Sequence, residues 1–370
     1  MSLDSIRYFY FYGYPIVFEI KIANKDLLSH LYLSDLIYQH GLSDFTLTGD
    51  TLRTHKMLGG AKPDISEPIL SPAKSNLCKL VIFTEGLNLQ QLTQVSQALV
   101  NVLSLVFYRV ITVEGVSGFA VCAQVALKTQ DNINKQLEDV AKRFSVELCL
   151  VEKTPSLKEP GLLLMDMDST VIAVECIDEL AELAGVGEQV SAVTILAMQG
   201  KLDFVQSLRT RVACLADADE SILQQVRDAL PLMPGVANLV KILKSYGWKV
   251  AIASGGFSYF ADHLQDQLEL DAAVANDLAI QNKKLTGKVQ GNIVDANVKA
   301  QTLKNLAKKW SISPNQTIAM GDGANDLLMM NSAALGVALH AKPIVRQQAD
   351  IAIRHSDLDT LLWVLEAGQT

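Results

Sequence analysis

Short apolar runs alternate with helical stretches in the C-terminal part of the chain. The runs at 162–165, 248–254 and 316–321 read LLLM, WKVAIAS and QTIAMG, and each is apolar enough to be a strand buried on both faces. Between them lie segments with the spacing of amphipathic helices, such as DESILQQVRDAL at 219–230. This alternation predicts an α/β domain over residues 154–370, with a Rossmann-like parallel sheet covered by helices.

The preceding residues show a different order of elements. From Cys78 to Val151 the pattern reads strand, helix, strand, strand, helix, strand, which is the order of a ferredoxin-like α+β module. We place this module at residues 76–153. Its element order resembles that of the ACT family of small-molecule-sensing domains. The order alone carries that resemblance, so a purely structural or dimerising module fits equally well.

Residues 1–75 are predicted to form an N-terminal α+β segment followed by a linker. The runs YPIVFEIKI and KDLLSHLYLSDLIYQHG indicate a strand and a helix before about residue 54. Residues 55–75 hold two Gly and three Pro and show little periodicity, as is typical of a linker or surface loop.

Composition and charge exclude several classes of protein. The 370 residues are 49% hydrophobic and 19% charged, as in folded globular proteins, and the net charge of −8 argues against a protein that coats nucleic acid. No apolar run approaches the ~18–20 residues of a membrane-spanning helix, and no secretory signal is evident. We expect a cytoplasmic protein with no nucleic-acid or membrane partner. Reduced thiols are expected at the five widely spaced cysteines, Cys78, Cys122, Cys149, Cys176 and Cys214.

Two carboxylates follow the first apolar run. Asp166 and Asp168 in GLLLMDMDST would lie at the carboxyl edge of a parallel sheet, where ligands bind in open α/β folds. One carboxylate there can attack phosphorus and form an aspartyl-phosphate, while the other transfers protons. Asp and Ser are also common at turns and helix N-caps, so a structural junction is the alternative.

Three further segments carry groups suited to a phosphate and a cation. The second apolar run ends at Ser254–Gly256, where a hydroxyl and free N–H groups can cradle an anion. Lys299 stands in the first turn of a predicted helix. The sequence GDGAND at 321–326 follows the third run, and its carboxylate and amide oxygens suit Mg²⁺. Taken singly, the first two segments are more often an ordinary Gly turn and a solvated Lys.

The order of the motifs is more informative than any one of them. D-x-D-x-T, a strand ending in S-G-G, a Lys and a strand ending in G-D-G-x-N-D follow one another from residue 161 onward. In this order they resemble the motifs of the haloacid dehalogenase (HAD) superfamily of phosphohydrolases. DMDSTVIAVECIDELAELAG, QGKLDFVQSLRTRV, LPLMPG, LTGKV and MGDGANDLLM narrow the resemblance to the bacterial branch that acts on phosphoserine and carries an N-terminal extension.

That resemblance implies a role for each motif residue. It makes Asp166 the nucleophile and Asp168 the general acid/base. The implied cofactor is Mg²⁺, held by Asp166, Asp322 and the backbone carbonyl of Asp168. The phosphoryl oxygens would be held by Ser254, Gly255, Gly256 and Lys299, with Asn325 beside the substrate and Thr170 and Asp326 in support.

The same resemblance implies a helical cap inserted at about residues 173–233. Within it, Glu175 and Arg211 match the positions that read the ammonium and carboxylate groups of phosphoserine. Met198 and Phe204 match the apolar wall. Without the resemblance, Glu and Arg on helices are usually solvated.

We therefore expect a Mg²⁺-dependent phosphatase that releases L-serine and phosphate from O-phospho-L-serine, the last step of serine biosynthesis. One alternative is a phosphatase or phosphotransferase of the same superfamily that acts on another small phosphate ester. Another is a regulatory protein whose ACT-like module senses an amino acid. A homodimer is possible for each of these three functions.

Overall fold

The computed structural model describes residues 6–11, 14–21, 31–40, 42–48, 51–54, 77–129 and 132–368. They form two compact units, one of which runs up to Lys153 and also takes the segment from Leu362 onward, while the other runs from Thr154 to Leu361. The linker predicted at 55–75 lies outside the described residues. No helix in the described ranges combines the length and apolarity that a membrane span requires.

The described part of the first unit contains an eight-stranded antiparallel sheet with the order β1-β2-β4-β3-β6-β7-β5-β8. Its elements are β1 (Ile6–Phe11), β2 (Tyr14–Lys21), α1 (Leu33–His40), β3 (Asp44–Thr48), β4 (Thr51–Thr54), β5 (Leu77–Phe83), α2 (Leu89–Ala98), β6 (Leu103–Ile111), β7 (Ala120–Leu127), α3 (Ile133–Phe144) and β8 (Glu147–Val151).

The order β6-β7-β5-β8 with α2 and α3 is the ferredoxin-like arrangement that the element order predicts. The predicted division at residue 75 does not divide the sheet, however, because β3 pairs with β6 and extends it. Phe45 lies opposite Tyr108 in this pairing, and their rings stack with centroids 5.1 Å apart. A ferredoxin-like sheet leaves an open edge at β6, and β3 covers it. The likeness to ACT domains stays a prediction.

The second unit contains a seven-stranded sheet with the order β12-β11-β10-β9-β13-β14-β15, in which only β12 runs antiparallel to its neighbour. Its elements are β9 (Leu162–Met165), α4 (Cys176–Leu183), α5 (Gly187–Met198), α6 (Phe204–Cys214), α7 (Ser221–Asp228), α8 (Val236–Ser245), β10 (Lys249–Phe257), α9 (Ser258–Gln267), β11 (Ala272–Gln281), β12 (Lys284–Gln290), α10 (Ala296–Lys309), β13 (Thr317–Gly321), α11 (Leu327–Met330), β14 (Leu335–Leu339), α12 (Pro343–Gln348) and β15 (Ile351–Ile353).

The three apolar runs of the sequence form the centre of this sheet, β10-β9-β13, and the predicted parallel α/β fold is confirmed. Every residue of β9 is fully buried, because both of its neighbours pair with it and helices cover the sheet. The carboxyl ends of these parallel strands meet at one edge, which brings the three polar motifs together.

The cap, residues 173–233, leaves and rejoins the core at one place. The backbone N–H of Met233 donates to the carbonyl of Val171, and that of Ala173 donates to Pro231, each at 2.9 Å. Helices α4 to α7 lie between these two contacts. The cap is thus an insertion between β9 and α8 that is tied at its base by backbone pairing.

The phosphatase domain is predicted to extend to residue 370, but most of the last helix, α13 (Leu361–Ala367), does not group with it. From Leu362 onward it groups with the first unit. The Trp363 ring meets the edge of Phe83 at 5.5 Å between centroids, and Lys79 Nζ donates to the carbonyl of Ala367 at 2.7 Å. A lysine that binds the carbonyl end of a helix satisfies acceptors that have no partner within the helix.

Candidate active site

The end of β9 places Asp166 and Asp168 as the sequence predicts, at the carboxyl edge of the sheet. Asp166 is 5% exposed, its N–H donates to the carbonyl of Met320 on β13 at 2.9 Å, and its Oδ1 accepts from the Met167 N–H at 2.7 Å. The backbone pairing continues one residue beyond the strand. The Asp166 carboxylate is therefore held at a fixed point between two strands.

A buried cation lies beneath this carboxylate. Lys299 Nζ is 2.7 Å from Asp166 Oδ2 and 2.7 Å from Asp326 Oδ1, and the Lys299 side chain is fully buried. Burial alone would lower the pKa of Lys299, but the two carboxylates outweigh it and raise that pKa above its ordinary value. Lys299 therefore keeps its charge and forms ion pairs with both Asp166 and Asp326.

Helix α10 presents Lys299 at this point because its start is fixed. Asp295 is the N-cap, and its Oδ1 accepts from the Val298 N–H at 2.9 Å. The Lys299 N–H then donates to the carbonyl of Asp295 at 2.9 Å, which closes the first turn.

Three carboxylates can meet a divalent cation at the edge of the sheet. Asp166, Asp322 and Asp326 each offer an oxygen within 4.8 Å of the others. Burial, followed by the charges of Asp166 and Glu175, raises the pKa of Asp322 to about 7, and Lys299 offsets only part of this rise. Hard oxygen ligands of this kind suit Mg²⁺. The donor set fits the cation that the sequence implies.

Asp326 has protein partners of its own in this cluster. Besides Lys299, its Oδ2 accepts from the Gly323 N–H at 3.0 Å, and its Oδ1 lies 3.4 Å from Asn325 Nδ2. Asp326 therefore braces the G-D-G-A-N-D turn against Lys299. The predicted contribution of Asp168 to the metal is its backbone carbonyl, whereas its side chain faces the cap.

Asp168 has the environment of a group that exchanges protons near neutral pH. Burial raises its pKa to about 7, with smaller contributions from Glu175 and Asp166. The backbone N–H of Cys176, at the start of α4, donates to Asp168 Oδ1 at 3.2 Å and opposes the rise. A carboxyl poised in this way can give a proton in one step and accept one in the next.

Ser254, Gly255 and Gly256, which are predicted to cradle an anion, lie at the end of β10. Ser254 is 1% exposed, and its Oγ accepts from the Gly256 N–H at 2.9 Å. Gly255 lies directly under the cap: a Cβ there would come within 2.6 Å of the Phe204 ring. The absence of a side chain at Gly255 therefore lets Phe204 close over the cradle.

Sequence reasoning missed a buried amide that fixes this cradle. Asn276 on β11 is 1% exposed, its Nδ2 donates to the carbonyl of Gly255 at 2.8 Å, and its Oδ1 accepts from the Val294 N–H at 2.8 Å. The pairing of β10 with β11 shifts register between Ala253 and Phe257, and the amide spans that irregularity. Nothing local in the sequence marks Asn276, because both of its partners are distant along the chain.

The motifs and the cap enclose one cavity of about 750 Å³. The predicted site residues that line it are Asp166, Asp168, Glu175, Met198, Phe204, Arg211, Ser254, Gly255, Gly256, Asp322 and Asn325. Lys299, Thr170 and Asp326 are predicted site residues that lie behind the lining, each fully buried. The sequence prediction did not include Asp295, Asn297 or Lys342, which also line the cavity. The N-cap pattern at 295–298 is the signal that could have indicated the first two.

The cap supplies further polar groups to the cavity. Ser169 Oγ donates to Glu175 Oε1 at 2.8 Å, and withdrawal from bulk solvent raises the pKa of Glu175. Arg211 stands in the last turn of α6, and its Nε is buried with no hydrogen-bond partner among the described residues. A buried guanidinium N–H without a partner is suited to an anionic ligand group.

Comparison with known proteins agrees with this geometry. The haloacid dehalogenase-like hydrolase family matches residues 161–334. A phosphoserine phosphatase of Haemophilus influenzae is 56% identical over 223 residues, which cover 60% of this chain and 71% of that protein.

Solved structures give the same result. The unliganded crystal structure of a probable phosphoserine phosphatase from Vibrio cholerae superposes with a TM-score of 0.67 at 44% identity, over 78% of this chain and 87% of that one. A phospho-aspartyl intermediate analogue of phosphoserine phosphatase superposes with a TM-score of 0.53 at 40% identity, over 56% of this chain and 99% of that one. By its motifs, its fold and its identity to these relatives, the chain belongs to the phosphoserine phosphatase family of haloacid dehalogenase-like hydrolases.

Proposed function

We propose that this chain hydrolyses O-phospho-L-serine to L-serine and phosphate through an aspartyl-phosphate on Asp166. One observation carries the proposal: the Asp166 and Asp168 carboxyls line the same cavity as Glu175 and Arg211 of the cap. The cavity therefore offers groups for a phosphate and groups for an amino acid. The reaction is the last step of serine biosynthesis.

In the first step, an Asp166 oxygen attacks phosphorus. The new O–P bond forms as the bond from phosphorus to the seryl oxygen breaks, and protonated Asp168 gives its proton to that leaving oxygen. Serine leaves neutral at its hydroxyl, and Asp168 becomes a carboxylate. A pKa near 7 makes the protonated form available at physiological pH.

In the second step, the Asp168 carboxylate accepts a proton from water as the water oxygen attacks phosphorus. The bond between phosphorus and the Asp166 oxygen breaks, phosphate leaves, and both carboxyls return to their starting states. Division of the reaction at Asp166 replaces one difficult displacement with two easier ones.

The protein groups around phosphorus act by position and charge. Ser254 Oγ and the backbone N–H groups of the cradle would hold the phosphoryl oxygens, and Lys299 fixes Asp166 from below. Asp166, Asp322 and the Asp168 carbonyl would hold Mg²⁺, with Asp326 in support. When bound, the cation supplies positive charge that neutralises the phosphoryl oxygens and stabilises the transition state.

Recognition of the amino acid is assigned to the cap. Arg211 offers two N–H donors to a carboxylate in a fork, and Glu175 offers an anionic partner to an ammonium group. Met198 and Phe204 supply an apolar wall, and Phe204 against Gly255 keeps bulk water from the cradle.

A substrate panel tests the proposal. We expect phosphoserine to give the highest kcat/KM among phosphoserine, phosphothreonine, phosphoethanolamine and glycerol phosphate. Phosphoethanolamine keeps the ammonium group and lacks the carboxylate, so Arg211→Ala should lower kcat/KM for phosphoserine by about 10–100-fold and leave phosphoethanolamine little changed. A panel headed by another ester, or equal losses on both substrates, would contradict the assignment.

A cytoplasmic location and a homodimer stay predictions from the sequence. Sedimentation of the full chain over a range of concentrations measures the second directly. A monomer at all concentrations would contradict the homodimer and leave the proposed reaction unaffected.

A further inference from the structure

The cap is anchored at a second place, away from its base. Strands β11 and β12 form a hairpin in which Gln281 pairs with Lys284 across Asn282 and Lys283. Both turn residues have positive φ, 52° and 63°, as a two-residue type I′ turn requires. The hairpin projects from the edge of the sheet toward the cap.

The chain that follows α6 pairs with this hairpin like an added strand. The Asp217 N–H donates to the carbonyl of Leu285, the Leu285 N–H donates to Ala218, and the Glu220 N–H donates to Lys283, each at 2.9 Å. These bonds cover the outer edge of β12 and connect the cap to the core sheet. The C-terminal end of α6 is therefore held by the hairpin.

Gly287 sets how closely the hairpin and α6 approach. Its φ is +72°, and a Cβ at this position would lie 2.9 Å from the Ala216 Cβ and 3.2 Å from the Ala213 Cα. Ala213 belongs to the last turn of α6, the turn that also carries Arg211. A side chain at Gly287 would have to push this turn away from the sheet.

We propose that Gly287 is a positioning residue for Arg211, and that the β11–β12 hairpin sets the depth at which the guanidinium enters the cavity. The inference rests on the proposed function, in which Arg211 binds the substrate carboxylate. Neither Gly287 nor the hairpin lines the cavity, so the effect on substrate passes through α6. The contact also gives a physical role to the sequence LTGKV at 285–289.

The geometry explains why a small displacement would matter. A guanidinium fork gains its two hydrogen bonds only when both N–H groups face both carboxylate oxygens. Arg211 Nε is buried and has no hydrogen-bond partner among the described residues, so no protein hydrogen bond at that atom holds the fork in place. The phosphate end of the cavity rests on the core strands and meets α6 at Phe204, the first residue of the helix, whereas Gly287 contacts the last turn.

The test compares Gly287→Ala with Gly291→Ala in the full chain. Gly291 has nearly the same φ, +69°, but a Cβ there would meet nothing within 4 Å, so it carries the backbone strain without the contact. For Gly287→Ala we expect KM for phosphoserine to rise about tenfold, or about 1.4 kcal/mol, with kcat little changed. Phosphoethanolamine kinetics should stay at the level of the Gly291→Ala control.

Rescue and coupling make the test specific. Ala216→Gly removes the atom nearest to the new Cβ, so adding it to Gly287→Ala should restore much of the lost affinity. Combining Gly287→Ala with Arg211→Ala should be no worse for phosphoserine than Arg211→Ala alone, because both act on one interaction. Additive losses in that combination would overturn the proposal.

Two other results would also overturn it: equal KM for phosphoserine in the Gly287→Ala and Gly291→Ala variants, or equal losses on phosphoserine and phosphoethanolamine. If Gly287→Ala does not fold, as judged by thermal melting, Ala216→Val presses on the same contact from the cap side and should give the same substrate-selective loss. An Arg211→Ala variant with normal phosphoserine kinetics would instead refute the proposed function, so the two failures are distinguishable.

Discussion

Lys299→Met removes the charge on which the buried site depends while it keeps the unbranched side chain up to the position of Cε. Lys299 is fully buried and lies 2.7 Å from both Asp166 and Asp326. Loss of one partner from a buried ion pair costs about 3–5 kcal/mol, because the remaining charge stays desolvated. We expect that loss in the free energy of unfolding of the second unit at pH 8 without divalent cations.

The loss should shrink as the pH falls. Without the lysine, the two buried carboxyls lose the cation that favours their charged forms, so the folded state takes up protons more readily. Protonation removes the uncompensated charge, and at pH 5.5 the variant should recover part of the difference from the wild type. Hydrogen exchange of the β9 amides measures this, because it reports on opening of the second unit alone.

Lys304→Met, on the exposed face of the same helix, is the matched control and should leave both stability and turnover near the wild type. Phosphatase activity of Lys299→Met should fall by about 10²–10³-fold or more, as for loss of a preorganised group at a charged transition state. Wild-type stability of Lys299→Met at pH 8 would refute the view that this lysine balances two buried carboxylates.

Two further predictions concern the same edge of the sheet. In metal-free protein the pKa values of Asp168 and Asp322 are raised to about 7, so their stabilisation is complete at low pH and is lost as the pH rises through that value. Between pH 5 and pH 8 stability should fall by roughly 2–3 kcal/mol for each carboxyl, and flat or rising stability in chelator would contradict this. Asn276→Asp keeps the acceptor for the Val294 N–H but loses the donor to the Gly255 carbonyl, so kcat/KM should fall about tenfold. Asn238→Asp, which disturbs a hydrogen bond to Asp359 away from the cavity, should leave kcat/KM unchanged, and equal kinetic losses in the two variants would refute the positioning role of Asn276.

The site residues that could be predicted from the sequence are those that directly follow a predicted strand. Asp166 and Ser254 each follow an apolar run, and parallel strands bring their carboxyl ends together without any knowledge of side-chain contacts. Asn276 and Gly287 could not be found in this way. Their partners, Gly255 and Ala216, lie far along the chain, and only the register of β11 and β12 brings them together.

The fold shows the same limit. The element order predicts the ferredoxin-like strands, since each of them pairs through local connections. The pairing of β3 with β6 depends on the edge of the ferredoxin-like sheet that is left unpaired. The packing of α13 depends on the contact between Trp363 and Phe83, which are far apart in the sequence. The residues of β3 and α13 alone predict neither of these contacts.

Mass spectrometry of the enzyme quenched in acid during turnover shows whether phosphoserine phosphorylates Asp166. We expect one phosphoryl group on the peptide that contains Asp166 in the wild type, and none in Asp166→Asn. A phosphoryl group on a different residue, or one that persists in Asp166→Asn, would contradict the proposed reaction.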